Sequence, residues 1–146
     1  MALEANLLTH FTAVDRRSVP ISSGFTAYAG RWVNLNSAGE AVAPSAGGRG
    51  LLVLDGNAVV TAVDGSKNVT ASVALPSGVA ANQAALANGV YRAEVDTHGF
   101  IATSLVAGSL LELDTSGRLI LRSSGVHVAT VETVSASKLV FRTVGA

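Results

Sequence analysis

One four-residue pattern recurs three times in this chain with the same surroundings: Asn or Asp, two unconstrained positions, then Gly. It appears as Asn36-Ser37-Ala38-Gly39, Asp96-Thr97-His98-Gly99 and Asp114-Thr115-Ser116-Gly117. The side-chain oxygen of the first residue caps a type I turn, and a glycine in the left-handed region closes it, so each copy predicts a β-hairpin. The residues before each turn keep one parity. Leu35, Val95 and Leu113 are apolar, Asn34, Glu94 and Glu112 polar, and Val33, Ala93 and Leu111 apolar again. A shift of one residue would invert every face, so the pattern fixes register as well as strand type.

The rest of the chain beyond about residue 24 reads the same way. Short runs rich in Val, Leu and Thr alternate with turn residues. Val69, Ala71, Val73 and Leu75 fall on one face of a strand, with Asn68, Thr70 and Ser72 on the other. Asp55-Gly56 and Asp64-Gly65 bound the run from Ala58 to Val63. Further strands are expected at Leu51 to Leu54, Val126 to Val131 and Lys138 to Val144. The fold class is therefore mainly β: a small β-barrel or sandwich-like domain of about nine to ten short strands over residues 23–146. Val79 to Asn88, rich in Ala and ended by Gly89, is compatible with a short helix. Residues 1–22 differ. Leu3, Leu7, Leu8, Phe11 and Val14 recur at helical spacing, and Pro20 would stop such a helix. This segment is expected to be an N-terminal arm or short helix, packed either on its own core or against a neighbouring chain.

Composition narrows the function. Ten basic and ten acidic residues cancel, whereas a nucleic-acid binder carries a basic excess to displace counterions from phosphate. Only 14% of residues are charged, against roughly 25% in an average soluble protein. A surface so poor in charge suits coverage by partners. Arginine outnumbers lysine eight to two, and arginine is the cation favoured at protein interfaces. The absence of cysteine excludes a disulfide scaffold and thiolate metal sites. The aliphatic runs fall far short of the roughly 20 residues of a membrane span, and no basic stretch leads into an apolar core as in a signal peptide. No nucleic-acid or membrane partner is expected.

The reactive residue types do not assemble into a motif. His10, His98 and His127 lack metal-ligand spacing. There is no Gly-x-Ser-x-Gly elbow. Gly47-Gly48-Arg49-Gly50 lacks the Lys-Ser/Thr of a phosphate loop and reads as a flexible connection. Asp96 and Asp114 are explained by turn geometry, Glu94 and Glu112 by the polar faces of their strands. Trp32 has no aromatic stripe beside it and is assigned to the core or a subunit interface. The chain is expected to be no enzyme, with no cofactor and no metal.

Several blocks resemble the capsid decoration, or cement, proteins of tailed bacteriophages. They are Gly30-Arg31-Trp32-Val33-Asn34-Leu35 with Ala38-Gly39-Glu40-Ala41-Val42, Gly50 with Leu51 to Leu54, and Ala107-Gly108 through Asp114-Thr115-Ser116-Gly117-Arg118, followed by closing strands at Val126 to Val131 and Leu139 to Val144. The likeness covers roughly four-fifths of the chain; residues 1–22 carry none of it. It implies a small β-barrel-like module, commonly a homotrimer, that is assembled in the host cytoplasm, binds the major capsid protein on the outer surface of the virion head, and holds the shell against packaged DNA. A tail or fibre module and a ligand-binding β module are the alternatives. The expected partner interface comprises Leu3, Leu7, Leu8, Phe11, Arg16, Arg17 and Trp32.

Overall fold

A computed structural model describes residues 5–10, 15–54, 61–63, 69–72 and 83–144. Its named elements are all strands: β1 (Ala5–His10), β2 (Asp15–Pro20), β3 (Trp32–Leu35), β4 (Ala41–Val42), β5 (Leu51–Val53), β6 (Thr61–Val63), β7 (Val69–Ser72), β8 (Gln83–Asn88), β9 (Tyr91–Asp96), β10 (Leu110–Leu113), β11 (Leu119–Leu121), β12 (Ala129–Val134) and β13 (Lys138–Thr143). A six-stranded sheet has the order β1-β9-β13-β12-β10-β11, a five-stranded sheet the order β2-β8-β5-β3-β4, and β6 pairs with β7. All pairings between named strands are antiparallel. The mainly β, sandwich-like domain predicted from the turns is what forms; it is not a closed barrel.

The first and third turns have the same geometry. Asn36 Oδ1 accepts hydrogen bonds from the amides of Ala38 and Glu40, both at 2.9 Å. Asp114 Oδ1 accepts from Ser116 and Arg118 at 2.8 and 2.9 Å. Gly39 and Gly117 close these turns at φ of 79° and 80°, a region glycine enters without the steric cost borne by other residues. The second copy departs from the expectation. Asp96 Oδ1 does accept from the His98 amide at 3.0 Å, but Gly99 is not left-handed and no hairpin follows. Both sides of β9 are taken, by β1 and β13. The chain after Gly99 instead runs alongside β11, with a parallel bridge from Phe100 to Leu119.

Glycine serves a different purpose at this second turn. A Cβ on Gly99 would overlap the Gly30 carbonyl oxygen, and one on Gly117 the Trp32 carbonyl oxygen. The Trp32 amide donates to Gly117 O at 2.8 Å. Arg31, between these two contacts, donates from Nε to His98 O at 2.8 Å. Two of the turns are thus pressed onto the entrance to β3, where side chains would hold the backbones apart.

Strand alternation in the five-stranded sheet feeds two cores. Trp32, Leu52 and Ala87 join Tyr91, Val95, Leu111, Leu139 and Phe141 in the large cluster between the sheets. Their chain neighbours Val33, Val53 and Leu86 enter a second cluster with Val19 and Ala41, against which Ile21, Phe25 and Ala27 pack. This double burial explains why Leu51 to Leu54 is continuously apolar rather than alternating. In the six-stranded sheet, Tyr91, Ala93 and Val95 are buried while Arg92 and Glu94 are partly exposed. Arg92 pairs with Glu132 at 2.6 Å and Glu94 with Lys138 at 2.8 Å on that outer face.

The helical alternatives are overturned. In the first 22 residues, β1 pairs with β9 from Ala5↔Val95 to His10↔Tyr91, and β2 pairs with β8 from Asp15↔Asn88 to Pro20↔Gln83. The same ladder replaces the short helix at Val79 to Asn88 with β8 over its second half; residues 79–82 lie outside the described residues. Each segment offered only a few apolar residues at helical spacing, too short a stretch for a helix to stand on local propensity. Long-range ladder bonds and burial of Val19, Leu86 and Ala87 decide the outcome. Leu3, Phe11 and Val14, together with the turn dipeptides Asp55-Gly56 and Asp64-Gly65, lie outside the described residues.

Candidate functional site

The two sheets meet at a corner where β8 passes into β9 through Gly89 and Val90. Gly89 has φ of 134°. Thr143 clasps this bend from β13: its Oγ1 accepts from the Tyr91 amide at 3.0 Å and donates to Gly89 O at 2.8 Å. Strands that switch sheets commonly do so at such bends. Beside the corner lies a cavity of about 40 Å3, lined by Trp32, Arg49, Gly50, Ala87, Asn88, Gly89, Tyr91, Val128 and Thr143. A water needs only ~10–15 Å3 by this kind of measure, so the space holds a group of a few heavy atoms.

The lining is rich in donors and contains no carboxylate. Trp32 is 5% exposed, its ring 6.2 Å from that of Phe141, and its indole Nε1–H has no hydrogen-bond partner. Such a donor, buried without an acceptor, is uncommon in folded proteins. Tyr91 is fully buried, and burial pushes its phenol well above the ordinary value, so it stays protonated. Arg49 lies on the exposed rim. Its loop, expected from its glycines to be a flexible connection, is hydrogen-bonded on both sides. The Gly47 amide donates to Leu113 O at 2.7 Å, and the Val126 amide to Gly47 O at 2.8 Å.

Glu112 departs from its expected place on a polar strand face. It is 7% exposed. Oε2 accepts from the amides of Ser123, Ser124 and Gly125 at 3.1, 3.2 and 2.5 Å, and Oε1 from Ser123 Oγ at 3.4 Å. The carboxylate therefore organises the 123–125 loop, whose Gly125 abuts Gly47. Hydrogen bonds from the Gly125 and Ser123 amides, with smaller help from Ser124, hold its pKa below the ordinary 4.5. A depressed pKa contributes stability that is complete above the unfolded-state value. That stability fades as pH falls below about 4.5 towards the lower folded value. Glu112→Gln is expected to lower the melting temperature at pH 7 and to flatten its decline through this acid window; thermal melts from pH 7 to pH 2.5 check both.

The predicted interface residues fall on separate strands. Leu7 and Leu8 lie in β1, and Arg16 and Arg17 in β2; these are edge strands of different sheets. Leu3 and Phe11 lie outside the described residues. Trp32 is in the core, because its large apolar ring is taken up between the two sheets, and so it offers a partner no surface of its own. Sequence reasoning passed over Arg49, Asn88, Tyr91 and Thr143. Only the glycine pair Gly89 and Gly50, each beside an unusual break between strands, signals the corner.

Among the described residues no group of His, Asp and Glu is placed to hold a metal ion, and no helix is long and apolar enough to cross a membrane. No protein-family model, curated protein or solved structure matches the chain.

Proposed function

We propose that this chain is a virion structural protein, a capsid decoration protein that binds the outer head surface of a tailed bacteriophage as a homotrimer. In this reading it contacts the major capsid protein and stabilises the shell against packaged-DNA pressure without catalysis. The observation that supports it best is that the blocks carrying the family resemblance pack onto one another. The β3–β4 and β10–β11 hairpins share one turn geometry. Gly117 of the second lies against Trp32 of the first, and Gly50 lies against both Leu113 and Val33. The resembling residues thus pack against one another as one unit.

Charge usage agrees with this role. Arg92, Glu132, Arg118, Asp114, Lys138 and Glu94 are engaged in ion pairs within the chain, and Glu112 in its loop. With only 14% of residues charged, the chain suits neutral contacts repeated by symmetry. Three copies on a three-fold site make three equal contacts, and linkage lets each be modest.

Light scattering of the purified protein, combined with sedimentation against expanded cognate heads lacking decoration, tests the proposal. The expected results are a mass three times the 14.7 kDa of one chain, saturable co-sedimentation, and heads that survive heating or chelation better than bare ones. A monomer that leaves head stability unchanged would sink it.

A further inference from the structure

Asn88 ends β8, and Gly89 opens the bend into β9. Of the seven asparagines in the chain, this is the one followed by glycine. The pair carries its own chemistry. The amide nitrogen after an asparagine can attack the side-chain carbonyl and close a succinimide ring, and glycine, with no Cβ beside that nitrogen, obstructs the attack least. Among the described residues neither the Asn88 side-chain amide nor the Gly89 N–H makes a hydrogen bond, so neither reacting group is tied down. Both residues are half-buried, and both border the corner cavity, which has room for a water. Asn36 is the contrast: its Oδ1 accepts from the amides of Ala38 and Glu40, and its Nδ2 donates to Glu40 Oε1 at 3.0 Å. The bend itself demands the glycine, because φ of 134° at position 89 is a conformation that residues with a Cβ rarely adopt. The reactive pair therefore comes with the corner.

We propose that Asn88 is a modification site, deamidated spontaneously in the folded protein to isoaspartate and aspartate. The Gly89 nitrogen gives up its proton and bonds to Asn88 Cγ. The Cγ–Nδ2 bond breaks, and the side-chain nitrogen leaves as ammonia, carrying off that proton by way of solvent. Water then adds to one of the two ring carbonyls. Breaking the bond from Gly89 N to Cγ restores the ordinary backbone and leaves aspartate. Breaking the bond from Gly89 N to the main-chain carbon leaves isoaspartate, whose backbone runs through the former side chain and is one atom longer. One water is consumed and one ammonia released, with no oxidation or reduction. Either product puts a second acidic residue in register with Asp15, the partner of Asn88 in the β2–β8 ladder, and like charges directly opposite weaken a ladder. Isoaspartate also lengthens the chain at the bend that Thr143 clasps. Deamidation thus loosens β2 from β8 at the end nearer the corner. This inference rests on the corner alone and stands whether or not the chain decorates a capsid.

Peptide mapping by mass spectrometry tests the site. The full chain is aged in mildly alkaline buffer well below its melting temperature, with circular dichroism to verify that it stays folded, and a second sample is aged in urea. The expected result in the folded sample is progressive loss of Asn88, with the mass rise of NH2 replaced by OH, isoaspartate in excess over aspartate, and Asn36 intact. Asp55-Gly56 and Asp64-Gly65 can form the same ring, but they expel water instead of ammonia and end with no change of mass, so they do not mimic the signal. Asn88→Gln, which keeps the amide but needs a larger ring, should stay unmodified at position 88. Asn88→Asp reads the consequence: amide hydrogen exchange in β2 should quicken by up to about fivefold, while β12 and β13 keep the rates of the parent chain. An Asn88 that survives in the folded chain while it deamidates in urea, or that reacts no faster than Asn36, overturns the proposal. Unchanged exchange in β2 of Asn88→Asp overturns the loosening of the ladder.

Discussion

Gly117→Ala is expected to cost about 3–5 kcal/mol, a large share of the stability of a domain whose total lies in the range of roughly 5–15 kcal/mol. Two penalties combine. The residue sits at φ of 80°, where an L side chain loses about 1–2 kcal/mol. The new methyl would also overlap the carbonyl oxygen of Trp32 and sit 3.0 Å from its amide nitrogen. Those neighbours are backbone atoms at the start of β3 and cannot rotate away. Relief requires the third turn to lift off, which breaks the bond from Trp32 N to Gly117 O. Gly39→Ala separates the terms. Gly39 has φ of 79° in the equivalent turn, and a methyl group there would meet nothing within 4 Å. That variant should lose only the conformational part, about 1–2 kcal/mol. Urea unfolding of both, at matched m-values, checks the difference; equal losses would mean that the close approach at Trp32 is unimportant.

Phe141→Ala is expected to be comparably damaging, at about 3–5 kcal/mol and on the order of 10 °C in melting temperature. Phe141 is fully buried at the centre of the six-stranded sheet, in register with Ala93 of β9 and Val131 of β12. Its ring meets Trp32 of the other sheet at 6.2 Å and a 43° tilt. Truncation removes this contact between the layers, and the small neighbour Ala93 cannot expand to fill the void. Phe141→Leu keeps most of the volume and should cost less than half as much. Calorimetry of the two variants tests the ranking.

Much of this architecture is legible in local chemistry. Asn36 and Asp114 specify their turns because each side-chain oxygen bonds amides two and four residues on, with no help from distant parts of the chain. The inward parity of Ala93, Val95, Leu111 and Leu113 follows from the two-residue repeat of an extended strand, whereas Val33, of the same expected parity, faces the second cluster and Trp32 the space between the sheets. What is not legible depends on partners far away in sequence. Asp96 starts a turn like the other two, but whether a hairpin follows depends on the flank of β9 being free, and β13 occupies it. Leu7 and Leu8 are compatible with a helix until β9 is there to pair with β1. Glu112 alternates with leucines as an outward residue should; only the return of the chain at Ser123 to Gly125 covers it. The corner cavity is least legible of all, since its lining comes from positions as far apart as 32, 88 and 143 and none sits in a recognisable motif.

The position of β13 has a consequence for how the molecule is made. This strand lies between β9 and β12, so the larger sheet cannot assemble until residues 138–143 have left the ribosome. β1 must wait meanwhile for a partner that begins 86 positions after its own first residue, from Ala5 to Tyr91. At about 5–20 residues per second, translation leaves those early strands unmatched for several seconds. Folding is therefore dominated by distant pairings, slow by the standards of small domains. Yield on expression should respond to temperature and chaperone supply.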